Sequence, residues 1–454
     1  MRDHDAHDPR PPQPPRPPRP GHGRDPRDEG PTGRGPKPGD PRGADPKAED
    51  RERRERVRGQ VKLVVEALGE RNAAWWCATG DDPADFEYLY RPGHILVRDA
   101  QLRQVAEVLD GGSAVDGLIS GVTLFQLPGG LDTHDALARI DSELGPGVAS
   151  PDHILYVTPA TGGCCPADEP SVPATPDPVP ARSKDAGDGR GVMVSVVDTG
   201  WHSPAATHPD TPWLAGVTGD EESVDPAAIR PYAGHGTFIA GVVRCVAPGT
   251  EVRVEGFLTH GGAIHESAMV VQLYQALQRG PDIISMSAGT HTRNHHALLS
   301  LAAFWETALR HVKGTVLVAA AGNDGDRRPF WPAAFPWSVS VGATGPDGAR
   351  APFSNFGSWV DVYAPGVDLV NAYPTGRFVC QEPPNTGEAR DFTGLARWSG
   401  TSFATPTVAG IIAARMSRTG ESARAAADSL LALARAHAIP GVGAVLTPGP
   451  HNTP

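Results

Sequence analysis

From Gly191 to about His437 the chain alternates two apolar patterns. Short, nearly continuous apolar runs occur at 192–198 (VMVSVVD), 251–258 (EVRVEGFL), 282–287 (DIISMS), 315–321 (TVLVAAA) and 337–344 (WSVSVGAT). Longer runs with helical spacing occur at 235–244, 265–280, 296–312, 402–416 and 421–437. Short buried strands that alternate with helices predict a mostly parallel sheet covered on both faces. In such sheets reactive groups collect beyond the carboxyl ends of the strands.

The preceding hundred residues follow another rhythm. Glu87–Arg98 reads as strand, turn and strand, and 121–128 and 152–159 read as further strands. Asp99–Gly111 is an amphipathic helix with Leu102, Val105 and Val108 on one face. Thr133–Leu144 is a second helix with Thr133 as candidate N-cap. Two strand–helix–strand units in this length predict a small ferredoxin-like α+β domain over 61–159. Trp75, Trp76 and Cys77 read there as packing residues.

Composition divides the remainder. Residues 1–60 are low-complexity Pro, Gly, Arg and Asp, which predicts a disordered tail. Its PPQPPRPPRP stretch favours polyproline II, as a solvated tail or an SH3-type ligand. Residues 160–190 predict an extended, protease-accessible linker, with the adjacent thiols Cys164 and Cys165 outside any zinc-like spacing. The domain of alternating strands and helices then runs over 191–440, and 441–454 is a C-terminal tail. The formal charge of -12 argues against nucleic acid as a partner. Five cysteines among 454 residues exclude a disulfide scaffold. There is no apolar run of membrane-spanning length and no signal-type segment at the start. That predicts a cytoplasmic protein, or a secreted one if the start is misassigned.

Four residues stand where chemistry is expected. Asp198 closes the VSVVD strand, and His235 opens a helix within GHGTFIAG. Asn323 closes the VLVAAAGN strand, and Ser402 opens the helix in WSGTSFATPTVAG. Taken singly, each has a plain reading: a turn, a loop histidine, an Asn-Asp-Gly turn and a helix cap. The D-T-G at 198–200 also occurs in aspartic proteases, but those need an all-β lobe that this pattern does not supply. Asp, His, Asn and Ser in this order along one parallel sheet are hard to produce by chance, and a serine at a helix N-terminus suits an attack that creates an oxyanion.

The motifs VVDTG, GHGTFIAG, AAAGNDG and SGTSFATPTVAG closely resemble those of the subtilisin-like serine peptidases, the subtilases. SMSAG at 285–289, FSNFG at 353–357 and VDVYAPG at 360–366 add to the likeness, which covers 191 to about 419. The resemblance implies a subtilisin-like three-layer α/β fold and a serine endopeptidase acting on polypeptides. Asp, then His, then Ser is the chain order of the triad in that family. The resemblance therefore implies Asp198, His235 and Ser402 as the triad, with Asn323 and the Ser402 N–H as oxyanion donors. It also implies that Ser287, Ala288 and Gly289 pair with substrate, and that Ala320, Ala321 and Gly322 wall the first specificity pocket. Ala288 stands where many relatives carry a larger residue, which predicts a roomier neighbouring subsite. Asp324 and Asp326 either draw basic substrate residues or face solvent.

Two departures qualify the likeness. The calcium-holding loop common after the histidine helix is missing, so no metal ligand or cofactor is carried over, while calcium elsewhere stays open. An insertion at 377–397 precedes the nucleophile motif and would lie near the site; its Cys380 is a candidate partner for Cys245. More weakly, 61–159 resembles subtilase propeptides, which implies that the chain's own N-terminal domain inhibits it and that the linker is a self-cleavage site. A permanently attached accessory domain is the other reading. The expected state is a monomer. The alternative function is a latent peptidase fold or scaffold that binds through its tail.

Overall fold

The computed structural model describes residues 46–157, 169–259, 261–312 and 314–449, all within one compact unit, Asp45–Pro454. The polyproline stretch and Cys164 and Cys165 lie outside the described residues.

The predicted tail is helical from Pro46: helix α1 spans Pro46–Leu68. Val57, Val61 and Val64 recur at helical spacing and are buried. The charges that suggested disorder occupy the other face. Arg54 reaches Asp82 and Asp85 at 2.7 and 2.6 Å, and Arg58 reaches Asp82 at 2.6 Å. Such surface pairs each contribute about 0–1 kcal/mol, so the buried valine face does more to hold the helix down.

The small domain continues with β1 (Ala74–Trp76), β2 (Tyr88–Arg98), α2 (Leu102–Val108), β3 (Ser113–Ile119), β4 (Val122–Gln126), α3 (Thr133–Leu144) and β5 (Ala149–Tyr156). The strand order β3-β4-β2-β5 is antiparallel throughout, giving the expected ferredoxin-like arrangement, with β1 pairing β2. Three details differ. The expected turn at Pro92–Gly93 is a register shift within one strand, with Gly93 at φ 69°. Strand β3 is mostly exposed and carries no apolar alternation that would have marked it. Asp132, not Thr133, caps α3, its Oδ1 accepting the N–H groups of His134 and Asp135, while the Thr133 hydroxyl accepts the Gly93 N–H. Trp76 stacks on His134 with ring centroids 3.6 Å apart.

The larger domain contains β6 (Met193–Asp198), β7 (Thr218–Gly219), α4 (His235–Val246), β8 (Glu251–Gly256), β9 (Ala263–His265), α5 (Glu266–Gln278), β10 (Ile283–Met286), α6 (Leu299–Thr307), β11 (Val316–Ala320), β12 (Ser338–Thr344) and β13 (Val362–Pro365). After these come β14 (Leu369–Ala372), β15 (Gly376–Val379), β16 (Ala389–Phe392), β17 (Leu395–Trp398), α7 (Thr401–Thr419) and α8 (Ala423–Ala436). Seven strands form one parallel sheet in the order β13-β12-β11-β10-β6-β8-β7. Nearly every residue of α7 down to Met416 is buried, as its small apolar composition requires. The 377–397 insertion forms the β15–β16 hairpin and leads into β17, which pairs with β14.

Two predicted loose segments are packed. Within the 160–190 linker, Ser171 bridges Arg397, Val179 bridges Val370, and buried Asp188 takes both guanidinium donors of Arg418 at 2.7 Å. Within the C-terminal tail, Tyr363 N–H donates to Ala444 O and Leu446 N–H to Tyr363 O, both at 2.9 Å. Backbone pairing of this kind needs no hydrophobic period, so composition alone read both as free chain. Cys245 and Cys380 are buried and free, and do not form the considered bridge. Burial pushes their thiols up to about 12 and about 11. Among the described residues no helix is long and apolar enough to cross a membrane.

The two domains share a sheet. Strand β9 pairs antiparallel with β5, Leu155 opposite Ile264. The side chains of β5 then divide by parity. Leu155 and the following Val157 join the core of the larger domain, with Ile264, Met269 and Ala288. Ile154 and Tyr156 join Val61 and Val64 of α1. Leu155 is fully buried, so Leu155→Ala should lower stability by about 2–5 kcal/mol in denaturant unfolding.

Candidate active site

Asp198 ends β6 with 0% exposure, and its Oδ1 accepts the Thr199 N–H at 2.8 Å. His235 is the first residue of α4, and its Nδ1 lies 2.7 Å from the same Oδ1. An imidazole that donates its Nδ1 proton to a carboxylate keeps Nε2 as an acceptor. The ring lies edge-on to Trp398 and tilted to Phe403, with centroids 5.3 Å from each. Two glycines let the helix start this close to the sheet. A Cβ on Gly234 would lie 2.3 Å from Pro374 Cδ, and one on Gly236 would lie 2.6 Å from Gly200 O.

Asn323 follows β11 and is buried. Its Oδ1 accepts the Thr401 N–H at 2.9 Å and the Thr401 hydroxyl at 2.8 Å. A backbone donor at Oδ1 fixes the amide orientation and turns Nδ2 the other way. Ser402 is the second residue of α7, where helix N–H groups lack intrahelical partners. Its carbonyl accepts the Ser287 hydroxyl at 2.9 Å. Ser402, His235 and Asn323 line one cavity of about 500 Å³.

The remaining sequence candidates are not among the residues that line this cavity. Gly289 exchanges both backbone bonds with Tyr156, at 2.9 and 3.1 Å, and Val157 N–H donates to Gly262 O at 2.8 Å. The edge expected for substrate is thus held by the chain's own β5. Ala320, Ala321 and Gly322 end the neighbouring strand β11 or follow it, with Gly322 at φ 94°. Sequence reasoning missed Phe330, which fills the space against both Gly289 and Gly322; an added Cβ would meet its ring at 2.3 and 3.0 Å respectively. Asp324 is engaged by His291 Nε2 at 3.1 Å and Asn355 Nδ2 at 3.2 Å, and Asp326 by Arg328 at 2.6 Å. Neither is a simple open site for a basic side chain.

The cavity has a roof that no sequence motif marks. Arg56, Gln60 and Leu63 of α1 line it, as do Phe378, Val379 and Gln381 of the insertion. Arg56 Nε donates to Pro383 O at 3.1 Å, and the Tyr232 hydroxyl donates to Gln60 Oε1 at 2.6 Å. Among the described residues no group of three or more His, Cys, Asp or Glu is placed to hold a metal ion. The connection from α4 to β8, residues 247–250, carries no carboxylate.

A sequence profile of the Subtilase family matches residues 189–436. Thermitase of Thermoactinomyces vulgaris is 32% identical over 259 residues, covering 54% of this chain and 82% of thermitase. An intracellular serine protease of Paenibacillus polymyxa is 33% identical over 245 residues, covering 50% of this chain and 66% of that protein. The crystal structure of fervidolysin from Fervidobacterium pennivorans, a keratinolytic enzyme related to subtilisin, is similar in fold. Its TM-score is 0.53 at 19% identity, with 79% of this chain and 60% of that chain covered.

A Cβ at Gly234 meets both a positive φ and Pro374. Gly234→Ala should therefore displace His235 and lower kcat far more than it raises KM in steady-state peptide hydrolysis.

Proposed function

This chain belongs to the subtilase family, and on that premise we infer that it is a serine endopeptidase cutting polypeptides through an acyl-enzyme. The observation that carries the reading is the convergence of His235, Asn323 and Ser402 on one cavity, with His235 bonded to buried Asp198. Ser402 Oγ attacks the scissile carbonyl while His235 Nε2 takes its proton. His235 returns that proton to the leaving amine, and water then repeats the sequence to release the acyl group. Asp198 holds the imidazole in the required tautomer and favours its charged form. The Asn323 amide and the Ser402 N–H bind the developing oxyanion.

We further propose that the chain's own N-terminal domain is its inhibitor and that the resting protein is a monomeric zymogen. The pairing of Tyr156 with Gly289 supports this, because a substrate strand would need the same backbone groups. Antiparallel register advances one residue on each strand. Val157 therefore stands opposite Ala288, the residue after Ser287, whose hydroxyl donates to the Ser402 carbonyl. Helix α1 adds a second hold through Arg56 and Gln60. Cutting the connection between Val157 and Glu169 would free the domain. All four reacting groups come from one chain, so the chemistry needs no second copy.

A fluorophosphonate probe should label Ser402 and fail to label His235→Ala or Ser402→Ala; labelling of His235→Ala at the wild-type rate would remove the assignment. Asn323→Ala should lower kcat by about 10²–10³ with KM little changed. Arg56→Ala combined with Gln60→Ala should speed labelling of the full chain by about tenfold, since each hydrogen bond contributes about 0.5–1.5 kcal/mol. An unchanged rate would mean that α1 does not restrain the site.

A further inference from the structure

Helix α4 begins without a side-chain cap. Its N-cap is Gly234, at φ 77°, where neither the backbone nor the nearby Pro374 leaves room for Ser, Thr or Asp. The donors of the first turn find partners elsewhere. His235 N–H donates to Tyr232 O at 3.1 Å, and Gly236 N–H to the Thr199 hydroxyl at 3.2 Å. Gly234 N–H donates to Glu222 Oε2 at 2.9 Å. Thr199 follows Asp198 directly, and its side chain lies beside the Glu222 carboxyl in one small cavity.

We propose that Glu222 is a positioning residue for His235. With Thr199 it supplies from outside the helix the cap that Gly234 cannot, and so holds the imidazole against Asp198. The role rests on the peptidase reading and deepens it. Glu222 keeps some exposed surface as a residue, yet its carboxyl is enclosed, and burial pushes its pKa up to about 8. The charged and titratable groups around it are Asp198, Glu221, His202 and the Tyr373 phenol, with Asp225, Arg230 and Tyr232 across the adjoining cavity. A cavity of about 170 Å³ bounded by Thr199, Glu222, Tyr232 and Leu258 gives the carboxyl a route for proton exchange.

Below about pH 8 the Glu222 carboxyl is neutral, and its oxygen still accepts the Gly234 N–H. As pH rises through that value a negative charge appears behind the Asp198–His235 pair. It favours the imidazolium that forms as Ser402 attacks. Wild-type kcat should therefore climb a second time between about pH 7 and 9.

The test uses the full-length chain with Glu222→Ala and Glu222→Gln. Steady-state peptide hydrolysis across pH is paired with the low-field proton resonance of His235 Nδ1–H. Glu222→Ala should lower kcat by about tenfold with KM little changed, and should weaken or broaden the resonance. Glu222→Gln keeps an acceptor for Gly234 N–H. It should restore the resonance and most of kcat while losing the second climb near pH 8. Wild-type kcat and resonance in Glu222→Ala would overturn the proposal. So would a Gln variant as impaired as Ala, or one that keeps the second climb. If wild type shows the resonance but does not turn over peptide even after proteolytic cutting between Val157 and Glu169, the peptidase reading fails, and the resonance of the variants still decides the role of Glu222.

Discussion

The bond of 2.7 Å between His235 Nδ1 and Asp198 Oδ1 is the contact around which the site is built. Both residues are buried, at 1% and 0% exposure. A carboxylate held away from water is costly unless it is bonded, so the surroundings must keep the imidazole in place. They do so by bringing backbones unusually close. Gly234 and Gly236 remove the side chains that would separate α4 from Pro374 and from Gly200, and Trp398 and Phe403 close around the ring. The parallel sheet supplies the register: Asp198 ends β6, Asn323 follows β11, and α7 enters beside both with Thr401 locked to Asn323. Asn323 is oriented by bonds to the residue preceding Ser402, so the oxyanion donor and the nucleophile are set as one unit.

The second feature is how the two domains meet. A separate domain could pack by its face alone, but here β9 extends the small domain's sheet, and β5 runs on to pair with Gly289 and Gly262. Side-chain alternation serves both sides at once, with Leu155 and Val157 facing the larger domain and Ile154 and Tyr156 facing α1. Backbone bonds supply affinity and alternate side chains supply fit, as in peptide recognition by strand addition. On the functional reading, the resting protein binds itself in the way it would bind a substrate.

The parts legible in the sequence were those with a strong local signature. Nearly continuous apolar runs marked β6, β10, β11 and β12 because both faces of that sheet are covered. Glycine-flanked motifs placed Asp198, His235, Asn323 and Ser402 because each needs a close backbone approach. Other parts depend on partners far along the chain. Helix α1 resembled a disordered tail because its charges outnumber its buried valines, and its order comes from Asp82, Asp85 and the core beneath. The 169–190 segment and the end at 441–449 are held by isolated backbone bridges, which leave no periodic trace. Phe330 and Glu222 carry no motif; only the three-dimensional neighbours Gly289, Gly322 and Gly234 reveal them.

Self-inhibition requires that β5 occupy the edge that substrate must use. Amide hydrogen exchange in the full chain reads that occupancy bond by bond, because exchange reports the opening of individual backbone bonds. Strong protection is expected at the Tyr156, Val157 and Gly289 amides. On saturation with a peptide aldehyde, Tyr156 and Val157 should lose protection while Gly289 keeps it, as one strand replaces the other. Fast exchange at Tyr156 and Val157 in the resting chain would contradict self-inhibition, and so would protection there that a bound peptide aldehyde leaves untouched.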